Sequence, residues 1–213
     1  MRMYLVTGVS ILLTLSSCLT IMQSLITPDN IITDKRIEGL WSKSDSKSIL
    51  VQKLMDSKFK KMFTELKDDW KYTARDSVFY TKLYVISFRE ENLGYTWLAG
   101  IVKIQGQYFL NLVPEDILND NENEVHVEGM ATSSIAKLEW KNDNSLILYF
   151  LNGDYIKEII LSGKARIKHE YDPLFDTFVI TASSGELEQF LERYGNNQSL
   201  FKGGNTIILT RKK

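Results

Sequence analysis

The chain has 213 residues, of which 26 are Lys or Arg and 27 are Asp or Glu, so its formal net charge at pH 7 is −1. A near-neutral chain has no electrostatic basis for binding nucleic acid, and we expect no such partner. Cys18 is the only cysteine, so an intramolecular disulfide is excluded and a hydrophobic core must supply the stability. The composition, 44% hydrophobic and 25% charged, is typical of a globular domain with such a core.

The first 18 residues have the parts of an export signal. Arg2 precedes the apolar run YLVTGVSILLTL, which is shorter than the ~20 apolar residues that cross a bilayer. Two small residues, Ser16 and Ser17, then lead to Cys18. One interpretation of this segment is an ordinary signal peptide or membrane anchor in which the cysteine is incidental.

The motif Leu15-Ser16-Ser17-Cys18 resembles the lipobox of bacterial lipoproteins. The resemblance implies that the thiol of Cys18 receives a diacylglyceryl group and that Cys18 becomes the first residue of the mature chain. Such a reaction needs a thiolate nucleophile, and two or three acyl chains give stable membrane attachment. Because the next residue, Leu19, is not Asp, the sorting rule of enteric bacterial lipoproteins implies the outer membrane of the cell envelope.

We therefore expect three segments: a signal peptide at 1–17, a lipidated N-terminus and tether at 18–35, and a single globular β-rich domain at 36–213. Removing residues 1–17 takes away Arg2 alone and leaves a net charge of −2. The tether is more apolar than a Gly/Ser linker, so part of it could pack on the domain or lie at the membrane surface.

In the first third of the domain, RIEGLW predicts a short extended segment that ends in Trp41. Residues 46–66 have apolar side chains at intervals of three and four, which predicts an amphipathic helix on the core rather than a basic membrane-surface helix. Residues 77–88, 95–104 and 107–113 alternate with a period of two. They predict an antiparallel meander with a tight turn at Gln105-Gly106.

Shorter elements follow along the rest of the chain. Strands are predicted at 124–130, 135–140, 145–151, 165–171, 176–181 and 205–211, and residues 153–163 suit either a helix or a strand. Ser183 and Glu186 form a possible capping box for one more helix. The predicted fold is α+β and mainly antiparallel β: a strongly curved sheet or a lipocalin-like barrel with two or three helices.

Two resemblances accompany this fold prediction. The segment IEGLW is similar to the Gly-x-Trp opening of lipocalin-like barrels. The run from DSVFY through KIQGQYFLNLVPE to TASSGELEQFLERY resembles uncharacterised lipoproteins of the Bacteroidetes type. That second resemblance implies a location and an order of elements, but it implies no reaction.

Catalytic chemistry would have to use one of two histidines, His126 and His169. On a strand, His126 and Glu128 share one face and could begin a metal site, but further ligands would be needed, so we favour an ordinary solvated face. The sequence has no nucleophile motif, phosphate loop or calcium loop, and we expect neither a cofactor nor a metal ion.

Seven aromatic residues fall on or near the first predicted strands. They are Trp41, Tyr84, Phe88, Tyr95, Trp97, Tyr108 and Phe109. In a closed sheet some could line an apolar cavity, although we favour a filled core. The leading functional hypothesis is a non-catalytic binding or interaction module for a small apolar ligand or another envelope protein. The alternative is an envelope hydrolase or metal-dependent enzyme that uses His126 or His169.

Overall fold

The computed structural model describes residues 19–44, 47–57, 74–90, 93–115 and 132–212. Two short strands, β1 (Thr20–Ile21) and β2 (Ile31–Ile32), precede the main sheet. The strands of the main sheet are β3 (Gly39–Ser44), β4 (Lys47–Lys53), β5 (Tyr84–Glu90), β6 (Leu93–Ile104), β7 (Gln107–Glu115), β8 (Ser134–Asn142), β9 (Ser145–Phe150) and β12 (Thr206–Arg211).

These eight strands close into an antiparallel barrel. β12 pairs with both β9 and β3, so the last strand of the chain lies between β9 and β3, the first strand of the barrel. β6 pairs with β7 as well as β5, and this pairing completes the ring. The predicted α+β, mainly antiparallel and lipocalin-like fold is confirmed.

Side chains alternate between the two faces of the barrel wall, as they must on any strand. On β7, Leu110 and Leu112 face the interior, whereas Phe109 faces an outer layer. Two of the interior positions carry small side chains, Ala99 and Ala136. The interior is therefore apolar, and the side chains that project into it differ in size from strand to strand.

Three α-helices lie among the described residues: α1 (Ala74–Lys82), α2 (Gly153–Leu161) and α3 (Ser184–Tyr194). Between α2 and α3 the chain forms a hairpin of β10 (His169–Asp172) and β11 (Thr177–Ile180). α2, α3 and this hairpin cover one side of the barrel and form a second core with it. The capping box of Ser183 and Glu186 is confirmed at the start of α3.

The helix predicted at 46–66 is wrong in its first part. Residues 47–53 form β4, and a single 3-10 turn (Leu54–Asp56) follows. The spacing was ambiguous because Ile49 and Val51 also alternate: both are buried in the barrel, whereas Leu50 between them is exposed. Pairing with β3 and β5 satisfies the backbone on both sides. The rest of that prediction, residues 58–66, lies outside the described residues.

The strand predicted at 77–88 is also wrong in its first half, where the chain continues α1 before β5 begins at Tyr84. Phe79 and Tyr80 on α1 pack against a small outer cluster that includes Leu54 and Leu83. Tertiary packing decides the helix here, since aromatic residues alone favour a strand. The Gln105-Gly106 turn is confirmed, with φ of 47° and 82° at the two residues. The strand predicted at 124–130 lies outside the described residues.

The segment 19–35, which the sequence suggested as a tether, lies against the outer wall of the barrel. β1 pairs with β11, and β2 pairs with β6. The amide of Leu25 donates to the buried side chain of Asn111 at 2.9 Å. Ile26 lies so close to Gly100 that a Cβ at residue 100 would stand 2.6 Å from its Cδ1 atom.

Candidate functional site

The barrel encloses an apolar cavity of about 460 Å³. Small-molecule sites in proteins commonly measure ≈ 300–1,000 Å³ and carry few polar groups. Lys43 and Ser134 are the two polar residues among the described residues that line this one. The lining residues are Ile37, Trp41, Lys43, Ile49, Val51, Ile86, Phe88, Trp97, Leu110, Leu112, Ser134, Leu146, Leu148, Phe150, Ile207 and Leu209.

One end of the barrel is closed by a 3-10 turn (Lys35–Ile37) that leads into β3. Trp41 is fully buried beneath it, and its indole Nε1–H donates to the carbonyl of Ile37 at 2.8 Å. The ring of Trp140 packs beside that of Trp41, with 6.2 Å between the ring centroids. Ile37 of the turn and Trp41 both line the cavity and together form its floor.

Arg211, at the end of the last strand, fixes this turn to the barrel. Its guanidinium carbon lies 4.3 Å from the centroid of the Trp41 ring. Nη1 donates to the carbonyl of Glu38 at 2.7 Å and Nη2 to that of Arg36 at 2.6 Å. Hydrogen bonds from a charged donor are about twice as strong as neutral ones, so this contact is a principal lock of the closed end.

Gly39 is required by the same contact. Its φ is +127°, which L side chains rarely adopt, and a Cβ there would lie 2.6 Å from Nη1 of Arg211. The Gly-x-Trp resemblance identified Gly39 and Trp41 in the sequence, but Arg211 was missed. No local pattern marks Arg211, because the carbonyls that it binds lie more than 170 positions away in the chain.

Tyr84 and Asp34 provide a second lock. The hydroxyl of Tyr84 accepts from the amide of Asp34 at 2.9 Å and donates to its carbonyl at 3.1 Å. Burial raises the pKa of Tyr84 to about 12, so the hydroxyl keeps its proton. The Asp34 carboxylate binds Arg36 at 2.6 Å, and this hydrogen bond lowers the pKa of Asp34. Arg36 in turn lies 4.7 Å from the centroid of the Trp140 ring.

The opposite end of the barrel is less covered. Trp97, Ser134 and Phe150 line the cavity there and are half-buried, whereas Lys43 is exposed. At the closed end, by contrast, Trp41 and Leu110 have no exposed surface. A ligand would therefore enter at the end where β3, β5, β7 and β9 finish.

The predicted aromatic residues separate into three groups. Trp41, Phe88 and Trp97 line the cavity, so the favoured prediction of a filled interior is wrong at these positions. Tyr84 and Tyr108 belong to the interior cluster, and Phe109 belongs to the outer core. The side chain of Tyr95 lies outside what the structure describes. Alternation along a strand identified the wall but could not distinguish a hollow interior from a filled one.

His169 lies far along the chain from these residues, at the start of β10. Its Nδ1 is 2.9 Å from the carbonyl of Ile167, and its ring is 5.3 Å from that of Phe178. It shares a surface depression with Glu186, whose carboxylate instead accepts from the amide of Ser183 at 2.7 Å. Among the described residues no three His, Cys, Asp or Glu side chains come together to hold a metal ion. Cys18, His126 and Glu128 lie outside them.

Comparisons of the chain with protein-family models, with curated proteins and with solved structures find no significant match. Fold and cavity therefore define the class: a lipocalin-like barrel with an apolar interior that is closed at one end. In the described part of the chain, no helix combines the length and the apolar character that crossing a membrane requires.

Proposed function

We propose that this protein is a lipid-anchored protein of the bacterial cell envelope that binds a small apolar ligand inside its barrel and catalyses no reaction. The observation that carries the proposal is the 460 Å³ cavity with its almost wholly apolar lining. At the ≈ 30 Å³ that a water molecule occupies in the liquid, such a space would hold on the order of fifteen waters. Apolar walls satisfy few of their hydrogen bonds, so replacing them with an apolar molecule is favourable.

The two polar lining residues suggest the shape of the ligand. Lys43 and Ser134 both lie toward the less covered end, so the apolar part of a ligand would occupy the interior and a polar end would lie beside them. An ammonium group favours an anionic end such as a carboxylate or a phosphate. We therefore expect an amphipathic molecule with one acyl-like or ring-containing apolar part.

The anchoring part of the proposal rests on the sequence before the domain. Lipidation of Cys18 would hold the barrel at a membrane, which by the sorting rule would be the outer membrane. Attachment raises the effective concentration of the binding site for ligands and protein partners in that membrane. Another envelope protein that delivers or receives the ligand is the partner that this arrangement favours.

Binding can be tested with N-phenyl-1-naphthylamine, a neutral dye whose emission rises in apolar surroundings. Leu112→Trp adds bulk inside the cavity, whereas Leu50→Trp makes the same change on the exposed outer face of β4. We expect Leu112→Trp to weaken dye binding by about tenfold or more, equivalent to ~1.4 kcal/mol, and Leu50→Trp to leave it unchanged.

A thermal melt of each variant controls for folding, and Leu148→Trp offers a second way to fill the same cavity. Equal dye affinity in all folded variants would show that the dye binds elsewhere, and the proposal would be wrong. Loss of affinity in both cavity variants, with Leu50→Trp unaffected, would support it.

A further inference from the structure

The turn of the β10–β11 hairpin carries two exposed apolar side chains. Leu174 is 82% exposed and Phe175 is 75% exposed, the highest values among the large hydrophobic residues that the structure describes. Single exposed apolar residues are ordinary on protein surfaces and need no explanation. Two adjacent ones at the apex of a hairpin form an apolar tip, which we call the hairpin tip.

The two carboxylates of this turn, Asp172 and Asp176, already have hydrogen-bond partners in the protein. The Asp172 carboxylate accepts from the amide of Leu174 at 2.8 Å. The Asp176 carboxylate accepts from the hydroxyl of Tyr171 at 3.0 Å and also binds Lys157. Moving the hairpin tip out of water would therefore leave the hydrogen bonds of these carboxylates in place.

The start of the described chain lies beside the hairpin tip. β1 runs parallel to β11, with Thr20 opposite Val179 and Ile21 opposite Ile180. Both strands run away from the turn. The residues that precede these pairs, Leu19 and Phe178, therefore lie next to each other on the side nearer the turn. Phe178 is three residues from Phe175, so the two lie at most about 10 Å apart.

The predicted attachment point, Cys18, is close in the chain to the start of β1. Cys18 is two residues before Thr20, and two residues of extended chain span at most about 7 Å. The amide of Met22 donates to the carbonyl of Ile180 at 2.9 Å, which further fixes the strand. A membrane attached at Cys18 would hold this edge of the protein within reach of its surface, where apolar groups enter to a depth of ≈ 5–10 Å.

We propose that Leu174 and Phe175 insert into the lipid bilayer to which the N-terminus is attached, so that the hairpin tip is a second membrane contact. The inference rests on the membrane attachment in the proposed function. It holds whether the apolar run before Cys18 is removed after lipidation or retained as an anchor, because the bilayer meets the domain at Leu19 in either case.

This contact would also bring the cavity entrance to the membrane. Ser134 and Phe150, which line the cavity near its open end, also line a smaller depression that includes Leu19. A bilayer at Leu19 would therefore lie next to the end of the barrel where an apolar ligand enters. The ligand could pass between bilayer and barrel with little exposure to water.

The inference can be tested with a dye that reports its distance from lipid. Because Cys18 is the only cysteine, Phe175→Cys adds one site for a nitrobenzoxadiazole maleimide, provided that lipid blocks the Cys18 thiol. Val78→Cys is the matched control. Val78 is 55% exposed on α1, and α1 is followed by Tyr84, the first residue of β5, at the closed end of the barrel. The full-length variants are extracted from their membranes and returned to phosphatidylcholine vesicles with nitroxide-labelled acyl chains.

We expect the nitroxides to reduce the emission of the dye at residue 175 about twofold and to leave the dye at residue 78 nearly unchanged. Equal, water-like emission at both sites on vesicle-bound protein would overturn the inference. Labelling of the wild-type chain separately tests the anchor, since a lipidated Cys18 does not react.

If the wild-type chain labels fully, lipidation is wrong, and the comparison is repeated with Cys18→Ser in both variants. Quenching confined to residue 175 would still support insertion of the hairpin tip, and its absence would overturn it. Failure of the anchor and failure of the hairpin tip therefore give different results.

Discussion

The two ends of the barrel differ in how their polar and apolar groups are satisfied. At the closed end, Arg211 and Tyr84 bind the backbone of the segment around the 3-10 turn, and Trp41 is fully buried. At the open end, Trp97 and Phe150 are large aromatic residues that stay only half-buried around a cavity. The same eight strands thus form a hydrogen-bonded closed end and a mainly apolar entrance, at which Lys43 and Ser134 are the polar lining residues among those described.

This difference indicates where stability and function reside. Groups at the closed end contribute to folding because they replace water with well-placed partners. Apolar surface left uncovered at the open end gives up part of the burial that it could have provided, about 25 cal/mol per Å². Substitutions at the closed end should therefore change stability, and substitutions at the open end should change ligand binding.

The largest effect is expected from Arg211→Met. It removes two charge-assisted hydrogen bonds to the carbonyls of Arg36 and Glu38 and the contact with Trp41. We expect the free energy of unfolding to fall by about 3 kcal/mol, measured by urea denaturation. The neighbouring Lys212→Met is the control, because Lys212 is exposed, and a change within about 0.5 kcal/mol is expected there. A similar loss of unfolding free energy in both variants would contradict the role of Arg211 in holding the closed end.

A smaller loss is expected from Gly39→Ala, which forces an alanine to φ of +127° and displaces Arg211. Strain of this kind costs of order 1–3 kcal/mol, so we expect a loss of about 2 kcal/mol in the same assay. Gly185→Ala is the matched change: Gly185 lies on α3 with nothing within 4 Å of a new Cβ. That variant should be neutral or more stable by up to about 1 kcal/mol.

The closed end should also weaken in acid. The Asp34 carboxylate is held by Arg36, so its folded pKa lies below the ordinary value of 3.8. The contribution of the Asp34–Arg36 pair to the free energy of unfolding is present above the unfolded pKa of Asp34. It is lost as the pH falls through the folded pKa. Because Arg36 is half exposed, we expect less than about 1 kcal/mol. Asp34→Asn should remove this part of the pH dependence below pH 4 in urea melts; an unchanged profile would contradict the assignment.

At the open end, Lys43→Met should barely change stability, since Lys43 is exposed. It should weaken binding of a long-chain carboxylate about two- to fivefold, the range of an exposed ion pair, without weakening that of the matching alcohol. Isothermal titration of both ligands checks this. Equal effects on both would show that Lys43 is not beside the polar end of the ligand.

Much of the fold could be predicted from the sequence where local signals are strong. The turn at Gln105-Gly106, the capping box at Ser183 and the final strand each depend on neighbouring residues, and the structure has all three. The helix predicted at 46–66 shows the limit. Ile49, Leu50 and Leu54 fit both periods, and only the flanking strands decide in favour of β4.

The candidate site was less predictable than the wall that encloses it. The Gly-x-Trp resemblance identified Trp41 on the floor, but Arg211 binds carbonyls that no local pattern connects with it. Whether inward side chains meet or leave a space depends on the shear and diameter of the closed barrel. Neither quantity can be obtained from the order of strands along the chain.

The most direct test of the account is native mass spectrometry of the full-length protein, extracted from its own membrane in mild detergent. We predict a non-covalent mass that leaves on denaturation and that Leu112→Trp reduces, together with a covalent mass at Cys18. A wild-type chain that carries no dissociable mass, and that gains none when amphipathic lipids of its membrane are added, would contradict the central claim of a ligand-binding barrel.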